Sequence, residues 1–320
     1  MNPTKRPVEQ HMSSDINGKY MIQQKIGKGS FGEVFIGMDH VSHATVAIKM
    51  ENKDRKYVLA HEYEIYKELS SSKVALRIPK IFWYGNVGEN RVIVMEYLSN
   101  SLEYFLQNRC HGKFTLKTTL MLGIQMFEQL KNLHDNSYIH RDIKPENFLM
   151  GMGGGKSYVY LIDFGLAKRY KSKEHVHIKC NVDKKLIGTA RYASVNSHNG
   201  VELSRRDDME SLLYLLIYFL KGQLPWQGIN ISDREAKYAK IGELKAAISV
   251  DRLCEGLPTE LHNFFSHVKS LGFKDKPNYR YLYAQLAGAF NRIGYRFDYV
   301  YDWDTAEHLS YPPASTPAYV

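Results

Sequence analysis

The chain is 320 residues long, 44% hydrophobic, and carries a formal charge of +9; that apolar content supports one large core or two modest ones. Its longest apolar stretch, 212–220, is about half of what a bilayer helix needs and reads as a buried core helix, so no membrane partner is expected. Cys110, Cys180 and Cys254 lie far apart, with no CxxC pair and no His at zinc-ligand spacing, which argues against a disulfide framework and a metal site.

Residues 1–19 are polar and lack an apolar run followed by a small-residue cleavage site. They read as a disordered tail of an intracellular protein, cytoplasmic or nuclear. Next comes Gly27-Lys28-Gly29-Ser30-Phe31-Gly32, whose backbone could approach phosphates without obstruction by Cβ atoms. Residues 33–37 read as strand, so this loop is a hairpin; a dinucleotide site would need a helix there. Val46, Ile48 and Met50 alternate with Ala47 and Lys49, which places Lys49 on an inward face where a lone ammonium is costly. A helix predicted over 54–70 carries Ile65, Tyr66 and Leu69 at helical spacing from Glu62. Glu62 is therefore the expected partner of Lys49. A further strand is predicted over 91–96.

From residue 98 the periodicity turns helical, over 116–134, 206–221, 259–272 and 280–294, with short strands only at 148–150 and 159–162. The expected architecture is α+β and bilobal: a small β-rich N-lobe with one helix over 20–97, and a larger, mainly helical C-lobe over 98–305. Residues 306–320 read as a second disordered tail.

The most specific signal is His140-Arg141-Asp142-Ile143-Lys144-Pro145-Glu146-Asn147, followed after sixteen residues by Asp163-Phe164-Gly165 at the end of an apolar strand. These segments resemble the catalytic loop and magnesium-binding turn of protein kinases. The resemblance implies that Asp142 accepts or orients the substrate hydroxyl proton, Lys144 neutralises the transferring phosphate, and Asn147 and Asp163 bind Mg2+. Lys49, paired with Glu62, would hold the ATP α- and β-phosphates. Gly151-Met152-Gly153-Gly154-Gly155-Lys156-Ser157 mimics a Walker A loop, but Met150 stands where its first glycine belongs and no long helix follows, so it reads as a turn between strands.

Downstream, Gly188-Thr189-Ala190-Arg191-Tyr192-Ala193-Ser194-Val195-Asn196 stands where most protein kinases carry Ala-Pro-Glu. With 204–211 and Leu224-Pro225-Trp226-Gln227-Gly228 it resembles the casein kinase 1 family, a likeness that extends from about residue 20 to 304. Two segments depart from that family: Ser194-Val195-Asn196, where Ile is usual in the middle, and Leu98-Ser99-Asn100, where Gly-Pro is common.

The family implies Ser/Thr transfer to acidic or prephosphorylated protein substrates by a monomer using ATP and Mg2+. ATP would meet Ile26, Gly27, Lys28, Gly29, Ser30, Gly32, Val34, Ala47 and Lys49, then gatekeeper Met95, the hinge from Glu96 to Leu98, and Leu149. Substrate anions would meet Arg191, Gln227, Gly228 and Lys237, and a second set of Arg141, Lys168 and Lys184. Asp208 would accept backbone hydrogen bonds from the catalytic loop. The seven Lys and Arg between 168 and 185 agree with an anion-attracting face beside the metal turn.

Two other readings use the same features. A pseudokinase scaffold is opposed by the presence of Lys49, Glu62, Asp142, Asn147 and Asp163 together. A nucleic-acid binder rests only on a pI near 9.1 and the basic run, without interleaved aromatics, and no nucleic-acid partner is expected.

Overall fold

The computed structural model describes residues 15–29, 32–54 and 57–304. Strands β1 (Asp15–Ile16), β2 (Tyr20–Gly29), β3 (Gly32–Asp39), β4 (Thr45–Asn52), β5 (Ile81–Val87) and β6 (Asn90–Glu96) form one antiparallel sheet in the order β1-β2-β3-β4-β6-β5. Alternation along β4 gives the sheet two apolar faces. Val46, Ile48 and Met50 pack with Ile16, Tyr20, Phe35, Val92 and Val94 on one side. Ala47 packs with Leu59, Ile93 and Met95 on the other.

Helix α1 (Val58–Ser70) crosses the second face, burying Leu59, Glu62, Ile65, Tyr66 and Leu69. It begins four residues later than the periodicity predicts. The reason lies at the end of β4, where the buried carboxylate of Glu51 accepts the Leu59 N–H at 3.2 Å and satisfies one of the orphan donors of the first turn. The sheet also starts earlier than residue 20. Ile16 is fully buried and pairs with Tyr20, so 15–19 belong to the N-lobe and not to a tail. The other residues assigned to tails, 1–14 and 306–320, lie outside the described residues.

Beyond the sheet come α2 (Leu102–Arg109), α3 (Leu116–Asp135), α4 (Val195–His198), α5 (Arg205–Lys221), α6 (Arg234–Ala247), α7 (Val250–Leu253), α8 (Thr259–Lys269) and α9 (Tyr279–Arg292). Helix α5 is the hub, packed by α3 and α8, while α3 also carries α9. Leu212, Leu213, Leu215, Leu216, Ile217 and Phe219 are all fully buried, which explains why that stretch is apolar on every side. Gly222 ends the helix with φ at 77°, a conformation that glycine adopts without strain. Helix α6, not predicted, is mostly exposed and shows little apolar periodicity.

Two further two-stranded antiparallel sheets form: β7 (Tyr138–Ile139) with β10 (Lys168–Arg169), and β8 (Phe148–Met150) with β9 (Val159–Leu161), the second pair lying in the chain between the strands of the first. The glycine-rich segment after β8 is a 3-10 turn over Gly153–Gly155, as expected for a connection between strands. Among the described residues no helix is long and apolar enough to cross a membrane.

Candidate active site

Strand register builds the upper wall of the site. Gly27 pairs with Val34, Val34 with Lys49 and Lys49 with Ile93, while Ala47 pairs with Met95 two residues along, on the same face. The sheet thus places the glycine-rich hairpin, the lysine and the gatekeeper position on adjoining rungs. Lys28 pairs with Glu33, and Gly29 with Gly32. A Cβ on Gly32 would stand 2.1 Å from the Met50 carbonyl oxygen, so the strand can approach this closely only with glycine there. Ser30 lies outside the described residues. Past β6 the chain runs beside β8: Ser99 N–H donates to the Met150 carbonyl at 2.9 Å and Ser101 bridges Leu149. Leu98 and Leu149 are both buried, as are Ile26, Ala47 and Met95. Glu96 is committed locally, its carboxylate accepting the Lys80 N–H at 3.1 Å.

Lys49 Nζ donates to Glu62 Oε2 at 2.7 Å and to Asp163 Oδ1 at 3.1 Å. This is the ion pair expected from sequence, with the metal-turn carboxylate added. Burial alone would drive the ammonium towards neutrality, but Asp163 and Glu62 outweigh it and hold the Lys49 pKa above its ordinary value. Glu62 is raised by its own burial against the pull of Lys49. Asp163 is half-buried, and desolvation opposes its charge, yet Lys49 and then Lys144 keep its carboxyl below the usual range and ionised.

Asp163 occupies the left-handed region, φ 64°, at the start of a 3-10 turn over Phe164–Leu166. Phe164 is fully buried and meets Tyr66 of α1 edge-on at 5.0 Å and His140 at 5.5 Å. The Asp163 N–H donates to the Tyr66 hydroxyl at 3.3 Å. The two ring contacts of Phe164 thus tie together the N-lobe helix, the Asp163 turn and the 140–147 loop, so Asp163 cannot swing without disturbing α1.

Asp208 of α5 holds the catalytic loop from below. It accepts the N–H of His140 at 2.8 Å and of Arg141 at 2.9 Å, and the Nε2 side of His134 lies 2.8 Å away. Burial opposes its charge, but His134 and these backbone donors keep its pKa below the usual carboxylate range. The support role read from sequence is therefore met by direct bonds. Arg141 sits at φ 69°, and the two amide bonds to Asp208 fix that uncommon conformation.

At the centre, Lys144 Nζ lies 3.2 Å from Asp142 Oδ2, and Asn147 Nδ2 donates to the Asp142 carbonyl at 2.9 Å. With Nδ2 committed, the amide oxygen is the atom of Asn147 suited to a cation. Asn147 and Asp163 both offer the oxygen donors that Mg2+ prefers. Among the described residues no three His, Cys, Asp or Glu side chains gather to cage a metal, so phosphate oxygens and water would complete such a coordination shell. Lys144 is held above its ordinary pKa: burial works against its charge, and Asp142 leads the groups that outweigh it.

Of the second anion set, Lys168 and Lys184 share one carboxylate, and Arg141 is bonded elsewhere. Lys168 Nζ lies 2.9 Å and Lys184 Nζ 4.0 Å from the buried Glu202 carboxylate. Arg141 is anchored by donation from Nε to the Leu166 carbonyl at 2.6 Å. Its pKa is lowered by burial, with Glu202 the leading opposing charge. The basic run does not act as one face, however, because Arg169 turns away to pair with Glu68 of α1. In the first set, Trp226 Nε1 donates to the Arg191 carbonyl at 2.8 Å, which brings Arg191 beside Gln227 and Gly228. Lys237 lies on the first turns of α6 and shares no hydrogen bond with those three among the described residues.

Sequence reasoning did not single out Thr189, Glu202 or Lys245. Thr189 binds Asp142 directly, Glu202 gathers the cations, and Lys245 is a buried lysine of α6. The one available signal was Gly188-Thr189, whose glycine has φ at 85° and would place a Cβ 2.5 Å from the Arg141 carbonyl.

A glycine hairpin beside an ion-paired lysine, with a loop carrying a carboxylate, a lysine and an amide, is the set of groups a phosphotransferase needs. A family model described as Protein kinase domain matches residues 20–271, and the chain belongs to that family. It is a protein kinase.

Proposed function

We propose that the chain transfers the γ-phosphoryl group of ATP to Ser or Thr of acidic or prephosphorylated proteins, in the manner of casein kinase 1. The observation that carries this reading is the pair of cations, Lys168 and Lys184, gathered at the single buried carboxylate of Glu202, whose charge also acts on Arg141. Arg141 precedes Asp142 in the chain, so an anion captured there is held one residue from the acceptor carboxylate. Lys144, two residues after Asp142, supports Ser/Thr specificity by the resemblance noted above.

In this reading Lys49 holds the α- and β-phosphates, kept charged and aimed by Glu62. Asn147 and Asp163 hold Mg2+, which when bound neutralises charge on the phosphate oxygens. Asp142 orients the substrate hydroxyl and receives its proton through Oδ2, while Lys144 offsets charge on the transferring group. The apolar residues Ile26, Val34, Ala47, Met95, Leu98 and Leu149 enclose the adenine and exclude water. The reading extends to a monomer in the cytoplasm or nucleus.

Kinetics on matched Ser peptides, unprimed and carrying a phosphoserine upstream, test the proposal. The primed peptide should show a KM lower by about tenfold, a preference that Arg191→Ala or Lys237→Ala reduces. Equal KM values on the two peptides would overturn the substrate assignment. Transfer only to Tyr would overturn the Ser/Thr assignment.

A further inference from the structure

Lys245 is a lysine that the reaction just proposed does not use. It lies on α6, is 2% exposed, and donates from Nζ to the carbonyls of Ala190, at 2.8 Å, and Ala193. Its Nζ also lies 4.9 Å from the ring centroids of both Tyr214 and Trp226. Those carbonyls bracket Arg191 and Tyr192. The same Trp226 donates to the Arg191 carbonyl between them, and His198 faces the Ala190 carbonyl at 3.2 Å.

The loop is fastened at both ends as well. Thr189 binds Asp142, while Ser194 and Asn196 donate to Asp207 of α5 and Val195 N–H donates to Glu210. The side chain of a surface lysine costs little to leave in water, whereas a buried one is retained only with partners. Here every partner is a backbone carbonyl or an aromatic ring, and the nearest opposing charge is Glu210. The groups facing Lys245 are therefore Glu210, Tyr214, Trp226 and His198. Two N–H donors suffice for two carbonyls, so the clamp operates with either an ammonium or a neutral amine.

We propose that Lys245 is a positioning residue for peptide binding: by holding the carbonyls of Ala190 and Ala193 it sets the loop that aims Arg191 at the substrate. The inference rests on the reading of that loop as substrate-facing. Removing the clamp releases the Ala193 carbonyl and leaves the Ala190 carbonyl with His198 and the Arg191 carbonyl with Trp226, while Asp142 and α5 still hold the ends of the loop. The consequence should fall on peptide affinity and leave the nucleotide side alone.

The test is steady-state kinetics of full-length Lys245→Met and Lys245→Gln, with KM measured separately for ATP and for primed and unprimed peptides. Lys245→Met should raise peptide KM by about tenfold while ATP KM stays within about twofold. Lys245→Gln, which keeps one donor, should fall between Met and wild type. ATP KM serves as the check that each protein is folded, and the Gln variant stands in if the Met variant does not fold. A peptide KM that stays at the wild-type value, or that rises in step with ATP KM, overturns the proposal. Failure of the substrate reading has a different signature, because the wild-type enzyme would then show no priming preference at all.

Discussion

The backbone N–H and the hydroxyl of Thr189 both donate to one carboxylate oxygen of Asp142, Oδ1, at 2.8 and 2.9 Å. The other oxygen, Oδ2, lies 3.2 Å from Lys144 Nζ. The carboxylate is thus oriented by the loop that also carries Arg191, so the acceptor base and the substrate-facing segment are set together. Thr189→Val removes one of the two donors and should lower kcat by about tenfold while leaving ATP KM nearly unchanged. Thr189→Ser keeps the hydroxyl and should retain most of the rate. Equal kcat for Val and wild type in a peptide phosphorylation assay would show that the side-chain bond does not orient Asp142.

The Lys49–Glu62 pair makes a prediction about stability that separates from activity. Lys49→Met leaves the Glu62 carboxylate buried beside Asp163 without its cation, and breaking a buried pair this way costs about 3–5 kcal/mol. The double variant Lys49→Met, Glu62→Gln removes the stranded charge and should recover much of that loss, while phosphoryl transfer stays abolished. Urea titrations of both proteins decide it. A double variant no more stable than the single one would mean that Glu62 takes up a proton and carries little cost.

How far the sequence foretold this site depends on the kind of signal. Lys49 and Glu62 were legible because alternation in a strand and spacing in a helix each put a charge on an apolar face, and each needed the other. Asp208 was legible only through family likeness, since nothing in its spacing says that it accepts two amides. The sheet order and the burial of Ile16 were not legible, because a two-residue strand has no periodicity to detect. Lys245 was hidden for another reason. On a helix whose neighbours are mostly exposed, one buried lysine looks like its solvated surroundings, and its partners are backbone carbonyls, which leave no trace in side-chain pattern.

Glu202 offers a gain-of-affinity test. Its carboxylate is buried and compensates Lys168, Lys184 and Arg141, and although burial would raise its pKa, the bond from Lys168 leads the effects that hold it below the ordinary value. Glu202→Gln removes the negative charge and leaves the cations in place. Primed-peptide KM should fall, and its dependence on salt should steepen, since more of the cationic field is then available to the phosphate. Unprimed peptides should change little. A higher KM for the primed peptide would mean that Glu202 is needed to hold the lysines in their binding positions.

Asp163→Asn tests the metal turn. The Asn side chain can still face Lys49, but it loses the charge that makes Asp163 a hard-cation ligand. Transfer should be lost at all Mg2+ concentrations in the usual assay range, with the fold kept, because Phe164 retains its contacts to Tyr66 and His140. Full activity at ordinary Mg2+ would remove Asp163 from the metal site.

Lys245 also gives the stability of the folded protein a pH dependence with a definite sign. Burial lowers its pKa from the ordinary 10.5 to about 7, with Glu210 opposing the shift. Below about pH 7 both folded and unfolded chains carry the proton, and the cost of the buried ammonium is fully present. Between about pH 7 and the ordinary lysine value the unfolded chain binds the proton and the folded chain does not, so stability rises with pH across that window. Lys245→Met removes this contribution. In urea unfolding at pH 7 and pH 9, the stability of wild type relative to Lys245→Met should therefore increase with pH, by at most about 1.4 kcal/mol per unit. A difference between the two proteins that is the same at both pH values would mean that Lys245 keeps its charge in the folded state, held by the Ala190 and Ala193 carbonyls and the faces of Tyr214 and Trp226.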